Sequence, residues 1–241
     1  MNKKIIAVIG ANGYVGGQIC QELETSSQYR LIRVLRGDSL DDSIREADVV
    51  IHAANPARRF KAESDPQHDF VETVDKTNRI LTMAKGKKLL LISTLSCKTQ
   101  MNTNYGRNRR FCELLLLAAG GVVIRLGPMF GGNRKQDTLH DLLASRQIFV
   151  SSKTRYAYVD VKWAGSKIVE LIKAVPGCYE IGACNSVSLA ELSEYFHSKS
   201  IFTGVDDTQI PDMEDEGPDA RLVIDYARQE FENLGNWVLS P

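Results

Sequence analysis

The segment Gly10-Ala11-Asn12-Gly13-Tyr14-Val15-Gly16 spaces three glycines evenly, three residues apart. In such a turn the first glycine lets the chain bend sharply out of a strand. The second lets backbone N–H groups approach a diphosphate, and the third lets the following helix pack tightly. The N-terminus of that helix offers further donors and the positive end of its dipole to phosphate. Spaced glycines alone are a weak signal, and context strengthens them here. An apolar run, residues 5–9, leads into the turn, and Val15, Ile19 and Leu23 follow at helical spacing. Two further groups have the makings of chemistry. Hydroxyls cluster in Ser93-Thr94-Leu95-Ser96 at the end of an apolar run, and Tyr105 and Arg109 stand four apart, on one face of a helix.

The elements that must position these groups alternate along the chain. Residues 5–9, 31–35, 48–51, 88–93 and 122–126 read as strands, and 14–24, 41–47, 70–84 and 105–119 as helices. Short strand–helix–strand connections imply a doubly wound parallel sheet with helices on both faces. Ligands then bind beyond the carboxyl ends of the strands. The places to inspect are Gly10 onward, Arg36, His52 to Asn55, Ser93 to Ser96 and residues 127–130. Beyond Phe130 the pattern loosens, with helices over 160–174 and 188–198, a strand over 178–181 and an acidic stretch, 206–219, expected to be an exposed loop. His52 reads as a packed core histidine. The expected organisation is α/β, one Rossmann-type domain over 1–241. Its dinucleotide-binding core lies mainly in 1–127 and the elements of a small C-terminal substrate lobe mainly in 128–241.

The G-x-x-G-x-x-G turn resembles the extended and atypical branches of the short-chain dehydrogenase/reductase family, which include sugar-nucleotide epimerases, dehydratases and keto-sugar reductases. Residues 48–55 (DVVIHAAN) resemble that family's fourth strand and small-residue turn, and Leu91-Ile92-Ser93-Thr94-Leu95-Ser96 its fifth strand with the catalytic hydroxyl. Tyr105-Gly106-Arg107-Asn108-Arg109 resembles its Tyr-x-x-x-Lys element, and residues 122–131 (VVIRLGPMFG) its sixth strand and the turn lining the nicotinamide. The resemblance implies a catalytic set of Thr94, Tyr105 and Arg109. Thr94 would bond the reacting oxygen, Tyr105 would be the general acid or base, and Arg109 would hold the ribose and favour the tyrosinate. It also implies cofactor contacts from Gly10, Asn12, Gly13, Tyr14, Val15, Arg36, Ala53, Ala54, Asn55, Pro128 and Met129. Helices matching those that begin near Phe70 and Tyr105 pair across dimers in this family, so a homodimer is expected.

NAD-preferring members place a carboxylate at the end of the second strand. This chain reads Val34-Leu35-Arg36 there. Arg36 could pair with a 2′-phosphate, which favours NADP, with NAD the alternative. The chain departs from the family pattern by carrying Arg109 where lysine belongs, and its intervals from Thr94 to Tyr105 and from Arg36 to Asp48 are short. The last third is also short for a lobe that grips a large nucleotide-sugar.

With 30 Lys and Arg against 30 Asp and Glu, the formal net charge is zero, which gives no footing for nucleic acid or an anionic membrane. Apolar residues make up 43% and charged residues 25%, the range of a globular chain. No apolar run approaches the roughly 20 residues that span a bilayer. The five cysteines lack metal-ligand spacing and read as reduced thiols in a cytoplasmic protein. The expected activity is an NADP-dependent oxidoreductase or epimerase acting on a carbonyl or secondary alcohol of a small-molecule substrate, sugar-derived in the family's manner. The competing reading is a dinucleotide-binding sensor with little catalysis.

Overall fold

The computed structural model describes residues 3–134, 136–212 and 217–238. The chain divides into two compact units. The first joins residues 1–126 to 162–179, and the second joins 127–161 to 180–241.

The first unit holds β1 (Lys4–Ile9), β2 (Tyr29–Val34), β3 (Val49–His52), β4 (Lys88–Thr94) and β5 (Val122–Leu126). The sheet order is β2-β1-β3-β4-β5, with the strand Gly177–Ile181 next to β5. Each neighbouring pair from β2 to β5 runs parallel. The apolar runs are continuous because both faces of this sheet are covered. Ala7, Ile9, Val50, Leu89, Leu91 and Val123 share one core with Ile44, Ile80 and Leu116 from helices. The alternate residues Ile6, Val8, Val49, Leu90 and Ile124 are just as buried. The chain leaves β1 toward β2 on one side, then returns to place β3 on the other. The crevice beyond β1 and β3 is therefore the topological switch point, where open parallel sheets take their ligands.

Helix α1 (Tyr14–Thr25) follows β1, and α2 (Leu40–Glu46) links β2 to β3. The long helix expected over 70–84 begins earlier, at Pro66. Asp65 caps it by accepting from His68 N at 3.1 Å, and proline suits the first helical position because its missing N–H has no helical partner to lose. A single π turn, Val71–Asp75, joins Pro66–Phe70 to Lys76–Met83. Arg59–Ser64 is a further short helix with no apolar periodicity to betray it. Asn104–Ala118 lies between β4 and β5. Helix Val161–Glu170 comes so close to α1 that a Cβ on Gly165 would sit 2.6 Å from Cγ of Gln18.

In the second unit Met129–Phe130 pairs in parallel with Val159–Asp160, and Arg155–Tyr156 pairs antiparallel with Val187–Ser188. Helix Leu189–Tyr195 opens with a capping box between Ser188 and Glu191, and Leu222–Val238 is the C-terminal helix. The stretch expected as an exposed loop over 206–219 is anchored instead. Asp207 and Gln209 are buried, Asp207 N donates to Thr154 Oγ1 (3.1 Å) and Gln209 N donates to the Arg155 carbonyl (2.9 Å). Acidic composition hid these contacts, which lie some 50 residues away in sequence. Residues 213–216 of that stretch lie outside the described residues. Among the described residues no helix is long and apolar enough to cross a membrane, and no His/Cys/Asp/Glu group has a metal-holding arrangement.

Candidate active site

The glycine turn is held at its base by the sheet. Gly10 N and Ala11 N both donate to the Val34 carbonyl, and Gly13 N donates back to the Gly10 carbonyl at 2.9 Å. Gly10 has φ +89°, and a Cβ there would lie 2.8 Å from the Ala53 carbonyl oxygen. The loops after β1 and β3 thus touch backbone to backbone, bringing Gly10 against Ala53 and Ala54. Gly16 is tighter, since a Cβ there would lie 2.1 Å from the Gly10 carbonyl oxygen. The helix is pressed onto the turn, and its first turn receives no side-chain cap, because Gly13 stands at the N-cap. Asn12 is exposed at the tip, and Tyr14 and Val15 open the helix. This arrangement suits an anion that must approach amide N–H groups closely.

Beyond β3, His52 is buried, accepts from Ala54 N through Nδ1 at 3.3 Å, and places Nε2 3.1 Å from Thr77 Oγ1. Burial, with the charges of Lys76 and Arg109, pushes its pKa down to about 3, so it stays neutral and structural. Asn55 differs. Its amide oxygen and nitrogen are both buried, with His52 nearby but no partner at hydrogen-bond geometry among the described residues. A buried amide in that state is an unmet demand for a ligand or water. The glycine cradle and this amide together fit a dinucleotide lying across the switch point.

The expected catalytic residues share one neighbourhood. Thr94 ends β4 half-buried, with Oγ1 3.2 Å from Ser96 Oγ and also accepting from Ser96 N at 3.2 Å. Arg59 Nη2 donates to Ser96 Oγ at 3.0 Å, and its guanidinium carbon lies 6.0 Å from the Tyr105 ring centre. Arg109 lies over the same ring at 4.5 Å. Tyr105 and Arg109 are both buried. Arg109 Nη1 donates to Thr73 Oγ1 (2.6 Å), Nη2 donates to the Pro56 carbonyl, and Asp69 lies 3.9 Å away. Arg59 was not among the residues expected from sequence. Its partners lie 37 and 46 positions ahead, and its short polar helix carries no motif.

Two carboxylates fix the helix that bears Tyr105. Glu63 accepts from Asn104 N (2.7 Å) and Tyr105 N (3.2 Å), acting as an external cap beside Thr103, which accepts from Gly106 N. Fully buried Glu113 accepts from Ser93 Oγ (2.7 Å), Arg110 Nη1 (2.9 Å), and Arg125 through Nε (2.9 Å) and Nη2 (2.7 Å). Burial raises the Glu113 pKa, but the hydrogen bonds from Arg125, Ser93 and Arg110 outweigh it and hold the carboxyl below its ordinary range. Ser93 adjoins Thr94, so this cluster ties the strand of Thr94 to the helix of Tyr105.

Arg36 stands apart, 93% exposed beyond β2, with Glu72 3.9 Å away. Asp38 caps the same turn, accepting from Leu35 N at 2.8 Å. Pro128 and Met129 belong to the second unit, where Met129 pairs with Val159.

Residues 6–110 match the model of the NAD dependent epimerase/dehydratase family. No protein of curated function matches the sequence. Among solved structures, UDP-N-acetylglucosamine 4-epimerase from Methanobrevibacter ruminantium, in complex with UDP-N-acetylmuramic acid, is similar at 14% identity and TM-score 0.73, covering 96% of this chain and 98% of that one. MoeE5 in complex with UDP-glucose and NAD is similar at 17% identity and TM-score 0.73, over 92% of both chains. RMD from Pseudomonas aeruginosa, complexed with NADPH, is similar at 18% identity and TM-score 0.68, over 91% of both. These likenesses establish the doubly wound fold over nearly the whole chain. Residues 6–110, which carry the glycine turn, the loop after β3 and the Thr94, Tyr105 and Arg109 group, are the part of the chain, under half of its 241 residues, that is similar to the NAD dependent epimerase/dehydratase family.

Proposed function

We propose that the protein is an NADP-dependent oxidoreductase or epimerase acting on a carbonyl or secondary alcohol of a small, sugar-derived substrate. The observation that carries this reading is the contiguous group Thr94, Ser96, Arg59, Tyr105 and Arg109, in the same unit as the glycine cradle. Backbone N–H groups of the turn and the first turn of α1 hold the diphosphate, and the Asn55 amide meets a polar group of the same ligand. Bound there, the dinucleotide supplies the hydride donor or acceptor. Tyr105 gives or takes the proton at the substrate oxygen, Thr94 hydrogen-bonds that oxygen, and Arg109, stacked on the ring, holds the phenol in place. Arg109 Nη1 and Nη2 bond Thr73 and Pro56, which fixes the guanidinium over Tyr105, and its remaining N–H donors would serve the nicotinamide ribose.

Turnover of NADPH against a panel of keto-sugars and simple ketones checks this reading. Tyr105→Phe should lower kcat by about 10²- to 10⁴-fold, the range of a general acid–base group, while cofactor affinity stays within about twofold. Unchanged turnover would remove Tyr105 from the chemistry. The engagement of Arg109 by protein groups also favours a second reading, a cofactor-binding sensor, which expects tight dinucleotide binding with no turnover on the panel.

The NADP preference rests on Arg36, exposed at the end of the second strand with no carboxylate at positions 34–36. A charge-assisted bond to a 2′-phosphate contributes about 1.5–3 kcal/mol, so NADP should bind about tenfold or more tighter than NAD. Arg36→Ala should erase that difference in paired titrations. An NAD preference in the unmodified protein would overturn it.

A further inference from the structure

One ion pair reaches across the exit of β1. In the sheet β1 lies between β2 and β3, so the loop after β2 and the helix after β3 flank that exit from opposite sides. Arg36 comes from the first and Glu72 from the second, yet Arg36 Nη2 lies 3.9 Å from Glu72 Oε2. The same oxygen accepts from Lys76 Nζ, one turn further along the helix. One carboxylate thus stands between two cations. The Lys76 bond, with the charges of Lys76, Arg36 and His68, outweighs burial and holds the Glu72 carboxyl below its ordinary range. Lys76 adjoins Thr77, whose Oγ1 lies 3.1 Å from His52 Nε2 at the end of β3, and its charge helps to depress the His52 pKa. Glu72 sits in the π turn, Val71–Asp75, a feature that recurs at functional sites. A pair that only supported its own helix would account for Glu72 and Lys76 but not for Arg36, which comes from another loop.

We infer that the Glu72 carboxylate holds the place of the cofactor 2′-phosphate and that Lys76 is the second cation of that site, so that Arg36, Lys76 and Glu72 together set the choice between NADP and NAD. The inference rests on the reading of Arg36 given above. Phosphate oxygens replace the carboxylate between the two cations, and Glu72 swings out toward solvent. The charge balance shows why each residue matters. Two cations and one carboxylate leave a single positive charge for the phosphate. Removing either cation leaves a neutral pair with no net attraction, and removing the carboxylate leaves two positive charges. Arginine supplies the forked donor and lysine the point charge, a combination suited to phosphate. Glu72 and Lys76 are each only one-quarter exposed, so water screens them less than a fully exposed pair.

Titration of the full chain with adenosine 2′,5′-bisphosphate and with 5′-AMP tests the inference, because the two probes differ only in the 2′-phosphate. The unmodified protein should bind the bisphosphate about tenfold more tightly. Lys76→Met should bring the ratio of affinities close to one. Glu72→Gln should raise it about tenfold further, with 5′-AMP affinity within about twofold in both variants. A pair that merely supported its helix would change both probes alike and leave the ratio unmoved. A ratio unaltered by Lys76→Met, or lowered by Glu72→Gln, would overturn the inference. If Arg36→Ala still lowers the ratio in that case, the NADP reading stands without it. A ratio near one in the unmodified protein, raised by Glu72→Gln and returned by Lys76→Met on that background, would end the NADP preference and uphold the inference. Failure of both probes to bind folded protein would overturn both.

Discussion

Alanine at Gly16 should remove the proposed dinucleotide binding, with a loss of affinity of about 100-fold or more, equivalent to about 2.7 kcal/mol. The added methyl would fall 2.1 Å from the Gly10 carbonyl oxygen and 2.9 Å from its carbon, both backbone atoms that no side-chain rotation can clear. The helix must lift off the turn, which moves the amides proposed to hold the diphosphate. Overpacking of this kind costs about 1–3 kcal/mol of stability, so the variant should remain folded but melt earlier. Gly17→Ala provides the control. Its methyl would meet the Ala11 carbonyl oxygen at an ordinary 3.5 Å, and binding should stay within about threefold. Titration of NADPH fluorescence against the two variants, with thermal melting alongside, separates a local clash from a general intolerance of side chains in this turn.

The second large effect is on stability. Glu113→Ala should cost about 3–5 kcal/mol, because it removes the buried carboxylate that pairs with Arg125, only 12% exposed, and accepts from Ser93 Oγ. The same carboxylate makes the fold sensitive to acid. Its folded pKa lies below the ordinary 4.5, so its contribution is complete above that pH and is lost as pH falls through the folded value. Denaturant melts of the wild type should therefore lose stability on acidification below about pH 4.5. Glu113→Gln, which keeps the shape without the charge, should show a flatter acid limb. An acid limb identical in both proteins would place the sensitivity in other carboxylates. Glu113 also joins β4 to the Tyr105 helix, so the variants should lose turnover beyond what the melting shift explains.

Much of the first unit was legible because its physics is local. A strand buried on both faces has to be a continuous apolar run, and residues 5–9, 88–93 and 122–126 are such runs. The glycine turn was equally open to reading, because Gly16 is crowded by Gly10 six residues before it and Gly10 needs φ +89°, although the contact of Ala53 against Gly10 needed the fold. What stayed hidden depends on groups far apart in sequence. Arg59 earns its place through Ser96 and Tyr105, and nothing in ARRFKAES signals that. The π turn at Val71–Asp75, which carries Thr73 to Arg109, leaves no mark in a helical pattern. The acidic 206–219 stretch looked exposed because composition reports average solvation, while Asp207 and Gln209 are buried by specific partners. The arginine at position 109 was visible as a departure from the family. Its anchorage on Pro56 and Thr73 needed the fold.

The measurement on which most depends is equilibrium titration of the unmodified protein with NADPH and NADH. Saturable binding at micromolar or tighter dissociation constants, abolished by alanine at Gly16 and retained with alanine at Gly17, is the expected outcome. If neither nucleotide binds to folded protein at millimolar concentration, the glycine turn is a packing device only, and the roles given to Tyr105 and Thr94 fall with it.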